Sequence, residues 1–455
     1  MTVALAVAVS VMVAAQDERA QTLERQITRI FASSDYAGPR FGPARWLSDS
    51  AAYTTVEPST RPTGGSDIAR YDGVTGERRV LVAAPRLVPE GRTTPLEISN
   101  YAWSADGRRL LIFTNTRRVW RQNTRGDYWV LDLAGGGLTQ LGGAASEATP
   151  ATLMFAKFSP DGTRVAYVRA NNLYVERLSD SRITSLTADG SETTINGTAD
   201  WVYEEELGVR DGFRWSPDGR SMAYWQFDST GVGMFSLLNT TDALYPTITR
   251  IPYPKAGTTN SAVRIGVVSA DGGGTRWMKT PGAPRDGYLA RVGWVDAGTV
   301  AIQQLNRLQN RHDLLLADAR TGEARRVFRD ESKTWVAAGD TVRWIDKGRA
   351  FLWVSERDGW RHVYRVPKEG GEERLITRFD ADIVSLTEVD GSGDDNVHYQ
   401  GTEQLVNRLV SLGKRFDLMV YPNRTHAIAE GSGTSAHVHT LIARYFLDHL
   451  PPGAR

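Results

Sequence analysis

One phrase of alternating hydrophobic and polar residues recurs along the chain. An aromatic residue is followed by a short turn that ends in Gly, and then by a strand in which apolar and polar positions alternate. Asp-Gly is typical of turns between antiparallel strands, and the alternation predicts half-buried strands. Clear copies begin at Trp103 (WSADGRRLLIF), Phe158 (FSPDGTRVAYV) and Trp215 (WSPDGRSMAYW), and weaker copies begin at Trp46, Trp294 and Trp344.

The spacing of these copies predicts the architecture. Successive aromatic positions lie 57, 55, 57, 79 and 50 residues apart. Repeats of roughly 40–55 residues, each with several short strands, are typical of β-propeller blades. The sequence therefore predicts a mainly β fold in which residues 36–385 form a β-propeller. The longest interval requires an insertion, and we expect residues 240–260 to form an arm that leaves its blade.

The hydrophobic period changes near the C-terminus. Residues 398–413 and 435–450 have the apolar spacing of helices, and residues 416–421 (FDLMVY) read as a short buried strand. These elements predict a partial α/β domain over residues 388–451, because a further blade would contain strands only. Such a fragment is too small to cover its own sheet. A predicted helix within residues 16–35 is a candidate to cover it.

The chain begins with an apolar stretch at residues 3–15 (VALAVAVSVMVAA), which polar residues follow at once. This length suits the apolar region of an export signal better than a membrane span. We therefore predict a signal peptide at residues 1–15 and an exported protein, periplasmic or secreted. No Lys or Arg precedes the stretch, so an uncleaved membrane anchor and a buried N-terminal helix stay open as alternatives.

Composition removes several functional classes. The 455 residues include 54 Lys and Arg against 53 Asp and Glu, which gives a net charge of +1 and little electrostatic support for binding nucleic acid. The absence of Cys excludes disulfides, thiolate zinc sites and a cysteine nucleophile. A hydrophobic content of 41% is typical of a globular chain and excludes a wholly disordered one.

Three consecutive carboxylates form the first candidate site. Glu204, Glu205 and Glu206 follow the apolar residues of the phrase DWVY. A solvated run of charge is the ordinary interpretation of such a triplet. In apolar surroundings, however, adjacent carboxylates repel one another and require a cationic partner. The sequence therefore indicates that the triplet needs a cationic partner.

Histidines suggest a second possibility, a metal centre. Five of the seven lie near the C-terminus, at His398, His426, His437, His439 and His449. His437 and His439 are two positions apart on a predicted helix, so their side chains face different directions. They cannot chelate a metal ion as an i, i+4 pair does. We expect neither a metal site nor a cofactor.

Three longer phrases carry a family resemblance. They are DWVYEEE at residues 200–206 with the strand that follows it, YPTITRIPYPKAGTTN at residues 245–260, and GDDNVHYQ at residues 393–400 with a later His-Ala-Ile at His426. Together they resemble the dipeptidyl peptidase IV branch of the prolyl oligopeptidase serine peptidases. The resemblance implies a β-propeller of the dipeptidyl peptidase IV N-terminal type joined to an α/β-hydrolase domain.

The resemblance also implies roles for individual residues. Glu205 and Glu206 match the carboxylates that hold the α-ammonium of a peptide, which limits cleavage to N-terminal Xaa-Pro or Xaa-Ala dipeptides. Arg121 matches the arginine on the substrate carbonyl, with Arg117, Arg118 and Arg125 as neighbouring alternatives, and Asn396 matches its partner. The implied partners are peptides with a free N-terminus and, through the arm and the C-terminal helix, a second copy of the chain.

Two residues match a Ser-Asp-His triad in hydrolase order. Asp394 would orient the imidazole of His426, which would accept the proton of the nucleophile. Without the resemblance, His426 reads as an ordinary loop histidine.

The serine of this triad is missing from the sequence. It belongs in a Gly-x-Ser-x-Gly turn. Only Ser66, Ser221 and Ser435 have Gly two positions before them, and none has Gly two positions after. Most of the hydrolase segment is absent as well, together with the last blade or blades, so the predicted propeller is incomplete; the join falls within residues 385–390. We therefore predict an inactive, internally deleted serine exopeptidase. The alternative is a non-enzymatic propeller that binds peptide N-termini.

Overall fold

The computed structural model describes residues 41–47, 52–240, 243–338 and 342–383, together with five isolated positions at 25, 26, 29, 35 and 386. These residues fall into two compact units that divide between Leu96 and Glu97. The predicted signal peptide at residues 1–15 and the partial α/β domain at 388–451 lie outside the described residues, as does most of the predicted N-terminal helix. Within the described ranges, no helix has the length and apolar content needed to cross a bilayer. Export therefore stays a prediction.

The first unit contains one antiparallel sheet whose four strands pair in chain order. A 3₁₀ helix, Ala84–Leu87, follows the last strand. Ile68, Val82 and Leu87 are fully buried and form the interior of this unit. The strands are β1 (Ala44–Trp46), β2 (Ala52–Pro58), β3 (Ser66–Asp72) and β4 (Arg78–Val82).

The second unit begins with an eight-stranded sheet. The sequence predicts two separate blades here, but the structure joins them because the strand that starts at Gln122 pairs with three others. Besides its two hairpin neighbours, it meets the strand at Leu153 through Arg125 and Gly126. The strands are β5 (Asn100–Trp103), β6 (Arg109–Val119), β7 (Gln122–Asp132), β8 (Leu138–Gln140), β9 (Leu153–Phe158), β10 (Arg164–Arg169), β11 (Asn172–Arg177) and β12 (Arg182–Ser185), and helix α1 (Gly143–Ala148) precedes β9.

The next sheet carries the acidic triplet and the arm. Six of the eight residues of its central strand are buried, and five of these are apolar or aromatic, as expected for a strand covered on both faces. The sheet contains β13 (Thr194–Asn196), β14 (Phe213–Trp215), β15 (Ser221–Asp228), β18 (Ala262–Ser269) and β19 (Arg276–Trp277). Helix α2 (Trp201–Leu207) lies between β13 and β14, and the arm is a separate hairpin of β16 (Met234–Asn239) and β17 (Thr247–Pro252).

Two further antiparallel sheets complete the described part of the chain, each with four strands in chain order. A 3₁₀ helix, Asp346–Gly348, interrupts the last sheet. The strands are β20 (Gly287–Asp296), β21 (Thr299–Asn306), β22 (Arg311–Asp318), β23 (Ala324–Glu331), β24 (Arg343–Ile345), β25 (Ala350–Ser355), β26 (His362–Pro367) and β27 (Arg374–Leu375).

The clear copies of the recurring phrase form the same turn, with the same hydrogen bonds. In each copy the Ser hydroxyl donates to the carboxylate of the Asp two positions later, at 2.6, 2.5 and 2.6 Å. The amide of the following Gly donates to the Ser carbonyl at 2.8, 2.8 and 2.9 Å. That Gly has a φ of 66°, 68° or 67°, which other residues adopt only with strain. These turns begin at Ser104, Ser159 and Ser216.

The mainly β class predicted from the sequence is confirmed. The antiparallel sheets follow one another along the chain, and the buried aliphatic and aromatic residues of β15, β18, β20 and β21 share one core. Closure of the sheets into a propeller ring stays a prediction.

Candidate functional site

Helix α2 is short, and a bond at each end fixes it. At its N-terminus the Asp200 carboxylate accepts a hydrogen bond from the Tyr203 amide at 2.9 Å, which satisfies one of the free amides of the first turn. At its C-terminus Gly208 adopts a φ of 64°, and the Val209 amide donates to the Tyr203 carbonyl at 2.9 Å. Seven residues therefore form a defined helix with a fixed rotation about its axis.

Buried contacts anchor α2 to the sheets behind it. The hydroxyl oxygen of Tyr203 accepts a hydrogen bond from the Leu289 amide at 2.8 Å, and its ring meets Phe227 edge-on at 4.7 Å. The Asp200 carboxylate also accepts from the Ser261 hydroxyl at 2.7 Å. Burial raises the pKa of Asp200, and its hydrogen bonds oppose that shift. The remaining face of the helix is thereby directed outward.

The three carboxylates of α2 differ in exposure. Glu204 is buried, and its carboxylate pairs with the Arg210 Nε atom at 3.2 Å. Burial raises the pKa of Glu204, and the Arg210 guanidinium opposes that shift. Because this pair closes within one short segment of chain, it serves the local structure of the helix and its following loop.

Glu205 instead pairs with a residue from a distant part of the sequence. Its Oε1 atom lies 2.6 Å from the Nη2 atom of Arg121, and the Glu205 side chain is about a quarter exposed. Arg121 occupies the turn between β6 and β7. The structure thus brings together two of the residues that the sequence analysis singled out.

Glu206 completes the exposed part of the triplet. Its side chain is exposed, and no cation of the described residues lies within ion-pairing distance of it. Glu205 and Glu206 together carry two negative charges against the single positive charge of Arg121. The site therefore has an excess of one negative charge, which favours the approach of a second cation.

The structure also distinguishes Arg121 from the neighbouring arginines. Arg118 donates from its Nε atom to the Trp120 carbonyl at 2.9 Å, which stabilises the turn itself. Trp120 has a φ of 50°, so the turn is tight. Arg117 and Arg125 face each other across the hairpin. Of these four arginines, Arg121 is the one that pairs with Glu205.

Aromatic residues that the sequence analysis did not assign lie beside the triplet. Trp201, the first residue of α2, packs against Tyr253 with ring centroids 4.3 Å apart, and Tyr253 also contacts Phe235 at 5.5 Å. This cluster connects the helix to the base of the arm. Arg210 was missed as well, although a basic residue six positions after Glu204 is a visible signal for a local ion pair.

The remaining predicted site residues cannot be placed. Asp394, Asn396 and His426 lie outside the described residues. Their assignment as triad acid, arginine partner and triad base stays a prediction.

Comparison with known families and proteins identifies the lineage of this arrangement. The family described as the dipeptidyl peptidase IV N-terminal region matches residues 104–409, and the prolyl oligopeptidase family matches residues 381–452. The curated dipeptidyl peptidase 4 of Trichophyton rubrum is 28% identical over 330 residues, which are 70% of this chain and 41% of the relative. The dipeptidyl peptidase 4 of Arthroderma otae gives the same values.

A solved structure agrees with these relatives. The crystal structure of Porphyromonas gingivalis dipeptidyl peptidase 4 superimposes with a TM-score of 0.68 at 29% identity, and covers 77% of this chain and 48% of that one. The chain therefore spans less than half the length of the relatives it matches. Since the first family match alone extends over more than half of the sequence, the chain belongs to the dipeptidyl peptidase IV branch of the prolyl oligopeptidase family.

Proposed function

We propose that the chain binds the free N-terminus of a peptide at Glu205, Glu206 and Arg121, and that it does not hydrolyse the peptide. The observation that carries this proposal is the 2.6 Å ion pair between Arg121 and Glu205, next to Glu206, which is exposed and has no cationic partner in the described part of the chain. An α-ammonium is the cation that this excess of negative charge favours. The Arg121 guanidinium keeps donors for the first carbonyl groups of the peptide.

Blocking the amine tests the charge requirement. We expect a peptide that begins Ala-Pro to bind at least about tenfold more tightly with a free amine than with an acetylated one, because acetylation removes the cation. Isothermal titration calorimetry of the full chain measures both. Equal affinity for the two peptides would contradict the proposal.

Substitution of the site residues gives the matching protein-side test. The variant Glu205→Gln/Glu206→Gln removes both negative charges with little change of shape, and we expect it to abolish the preference for the free amine. Arg325 and Glu369 form another exposed ion pair, at 3.0 Å, in the same unit. Arg325→Gln/Glu369→Gln is therefore a matched control that should bind both peptides as the unaltered chain does.

The absence of hydrolysis rests on the sequence. Without a Gly-x-Ser-x-Gly serine, an Asp and a His have no nucleophile to activate, and no acyl-enzyme forms. We expect no turnover of a Gly-Pro p-nitroanilide and no covalent labelling by a fluorophosphonate. Turnover accompanied by labelling of one serine supports the alternative, a working serine exopeptidase.

We also propose that the arm pairs with a second copy of the chain. Met234, Leu238 and Ile248 are 57%, 62% and 61% exposed, and within the described residues β16 and β17 pair only with each other. Large exposed apolar surfaces mark association sites. Sedimentation velocity should show a dimer that Leu238→Glu/Ile248→Lys converts to a monomer. If the unaltered chain and the variant are both monomers, this proposal is contradicted, whereas the proposal for the peptide site is not affected.

A further inference from the structure

A cavity lies in the eight-stranded sheet, beside the first residues of strand β7, which follow Arg121 in the chain. Its volume is about 440 Å³, which is within the range of small-molecule sites. Its lining combines an aromatic wall with a charged end. The wall contains Tyr101, Phe113, Tyr128 and Phe155, the charged end contains Lys157 and Asp211, and Thr124 is also part of the lining.

Both strands that border the cavity are irregular at the lining residues. In β7, Asn123 and Arg125 pair with consecutive residues of β6, so Thr124 is an extra residue in the ladder. In β9, the pairing with β10 also shifts, and Phe155 takes a φ of 55°. A positive φ is costly for a bulky residue, and bulges and strain of this kind concentrate at binding sites, where they redirect side chains.

The aromatic wall is closely packed and depends on a glycine. The rings of Phe113 and Tyr128 stack with centroids 4.6 Å apart. A Cβ atom on Gly126 would lie 2.6 Å from the Phe113 ring, so glycine permits this position of the ring. The wall is therefore a fixed, flat apolar surface suited to a planar ring.

The charged end has more positive than negative charge. The Lys157 ammonium donates to the Asp211 carboxylate and, at 3.0 Å, to the Phe213 carbonyl. An ammonium has three donors, and besides these two oxygen acceptors the Lys157 ammonium lies over the Phe213 ring, 3.7 Å from its centroid. Arg214 also approaches Asp211, at 3.4 Å, so two cations share one carboxylate. The surplus positive charge favours an anion.

Thr124 provides an unsatisfied group. Its side chain is about nine-tenths buried, and its Oγ1 atom has no hydrogen-bond partner in the described structure. A buried hydroxyl without a hydrogen-bond partner is energetically unfavourable. Because Thr124 lines the cavity, a ligand there is a candidate partner for this hydroxyl.

We propose that this cavity binds a small aromatic carboxylic acid, with the carboxylate on Lys157, the ring against Phe113 and Tyr128, and a ring hydroxyl on Thr124. The proposal is independent of peptide binding by Glu205. It combines three features of one cavity: a flat aromatic wall, a surplus of positive charge, and a buried hydroxyl that lacks a partner.

A set of related ligands tests each feature on the full chain by calorimetry. We expect 4-hydroxyphenylacetate to bind at least about tenfold more tightly than phenylacetate, which lacks the ring hydroxyl, and than tyramine, which carries an ammonium in place of the carboxylate. Equal binding of tyramine and 4-hydroxyphenylacetate overturns the proposal. Absence of any binding at millimolar concentration also overturns it.

Two variants assign the contacts. Thr124→Val keeps the shape of the side chain and removes the hydroxyl, so it should reduce the affinity for 4-hydroxyphenylacetate to that for phenylacetate and leave phenylacetate unchanged. Lys157→Gln should weaken both acids about tenfold or more. If Lys157→Gln fails to fold, the Thr124→Val variant and the ligand series on the unaltered chain still test the proposed site. An equal effect of Thr124→Val on both acids contradicts the assignment of Thr124.

Discussion

Glu204 and Glu205 are neighbours in α2, and the structure uses them differently. Glu204 is buried and pairs with Arg210, a few residues further along the chain, whereas Glu205 is partly exposed and pairs with Arg121 from a separate hairpin. A buried ion pair is costly to break, and an exposed pair contributes little to stability. The comparison teaches that, of two adjacent carboxylates, the one that contributes least to folding is the one available to a ligand.

Removing the support shared by both carboxylates should have the largest effect. Asp200→Ala deletes the N-cap of α2 and the acceptor for Ser261. We expect the free energy of unfolding to fall by about 2–3 kcal/mol, measured by urea denaturation. Asp200→Asn keeps an acceptor oxygen and should lose less than half of that amount. Equal losses in the two variants would show that the cap is not what Asp200 provides.

Loss of the buried carboxylate should come next. Glu204→Ala leaves the Arg210 guanidinium, which is about one-third exposed, without its partner. We expect a decrease of about 1–2 kcal/mol in the free energy of unfolding, with the preference for a free peptide amine retained. The double variant Glu204→Gln/Arg210→Gln should recover part of the loss, because neither partner is then left as an unpaired charge. A Glu204→Ala protein that is stable but has lost the preference for a free amine would show that Glu204, and not Glu205, is the carboxylate available to a ligand.

The partly exposed carboxylate should matter little for folding. We expect Glu205→Gln to change the free energy of unfolding by less than about 0.5 kcal/mol, because exposed ion pairs are weak. Thermal and urea denaturation measure this directly. A loss comparable to that of Glu204→Ala would show that Glu205 is a structural residue.

The smallest effect should be the coupling between Arg121 and Glu205. A double-mutant cycle with Arg121→Gln and Glu205→Gln should give about 0.5 kcal/mol at low salt and less at 0.5 M NaCl, since counterions screen exposed charges. The corresponding cycle for Glu204 and Arg210 should respond less to salt. Equal salt dependence of the two cycles would remove the distinction between a buried and an exposed pair.

Much of the sheet structure was predictable from local signals. The turns at Ser104, Ser159 and Ser216 were visible in the sequence because all of their hydrogen bonds join residues a few positions apart. The union of two expected blades into one sheet was not visible. Alternation of apolar and polar residues reports which face of a strand is buried, and it contains no information about which edges meet.

The candidate site also has features that the sequence predicted and features that it did not. The sequence indicated that the triplet needs a cation, but it could not choose between Arg210 and Arg121, and the structure uses both. Family resemblance assigned Arg121 to the substrate carbonyl. Its pairing with Glu205 was not predicted, because no local rule connects a hairpin turn to a helix that lies far along the chain. The cavity beside β7 was missed, since it depends on two bulges that leave no mark in the hydrophobic pattern.

The repeated Ser-x-Asp-Gly turns have a consequence for synthesis. Each one closes through bonds among neighbouring residues, and most strands pair with the next in the chain. Contacts this local form rapidly. Individual hairpins can therefore form while the ribosome is still extending the chain, and the later, slower steps are those that dock one preformed sheet against another.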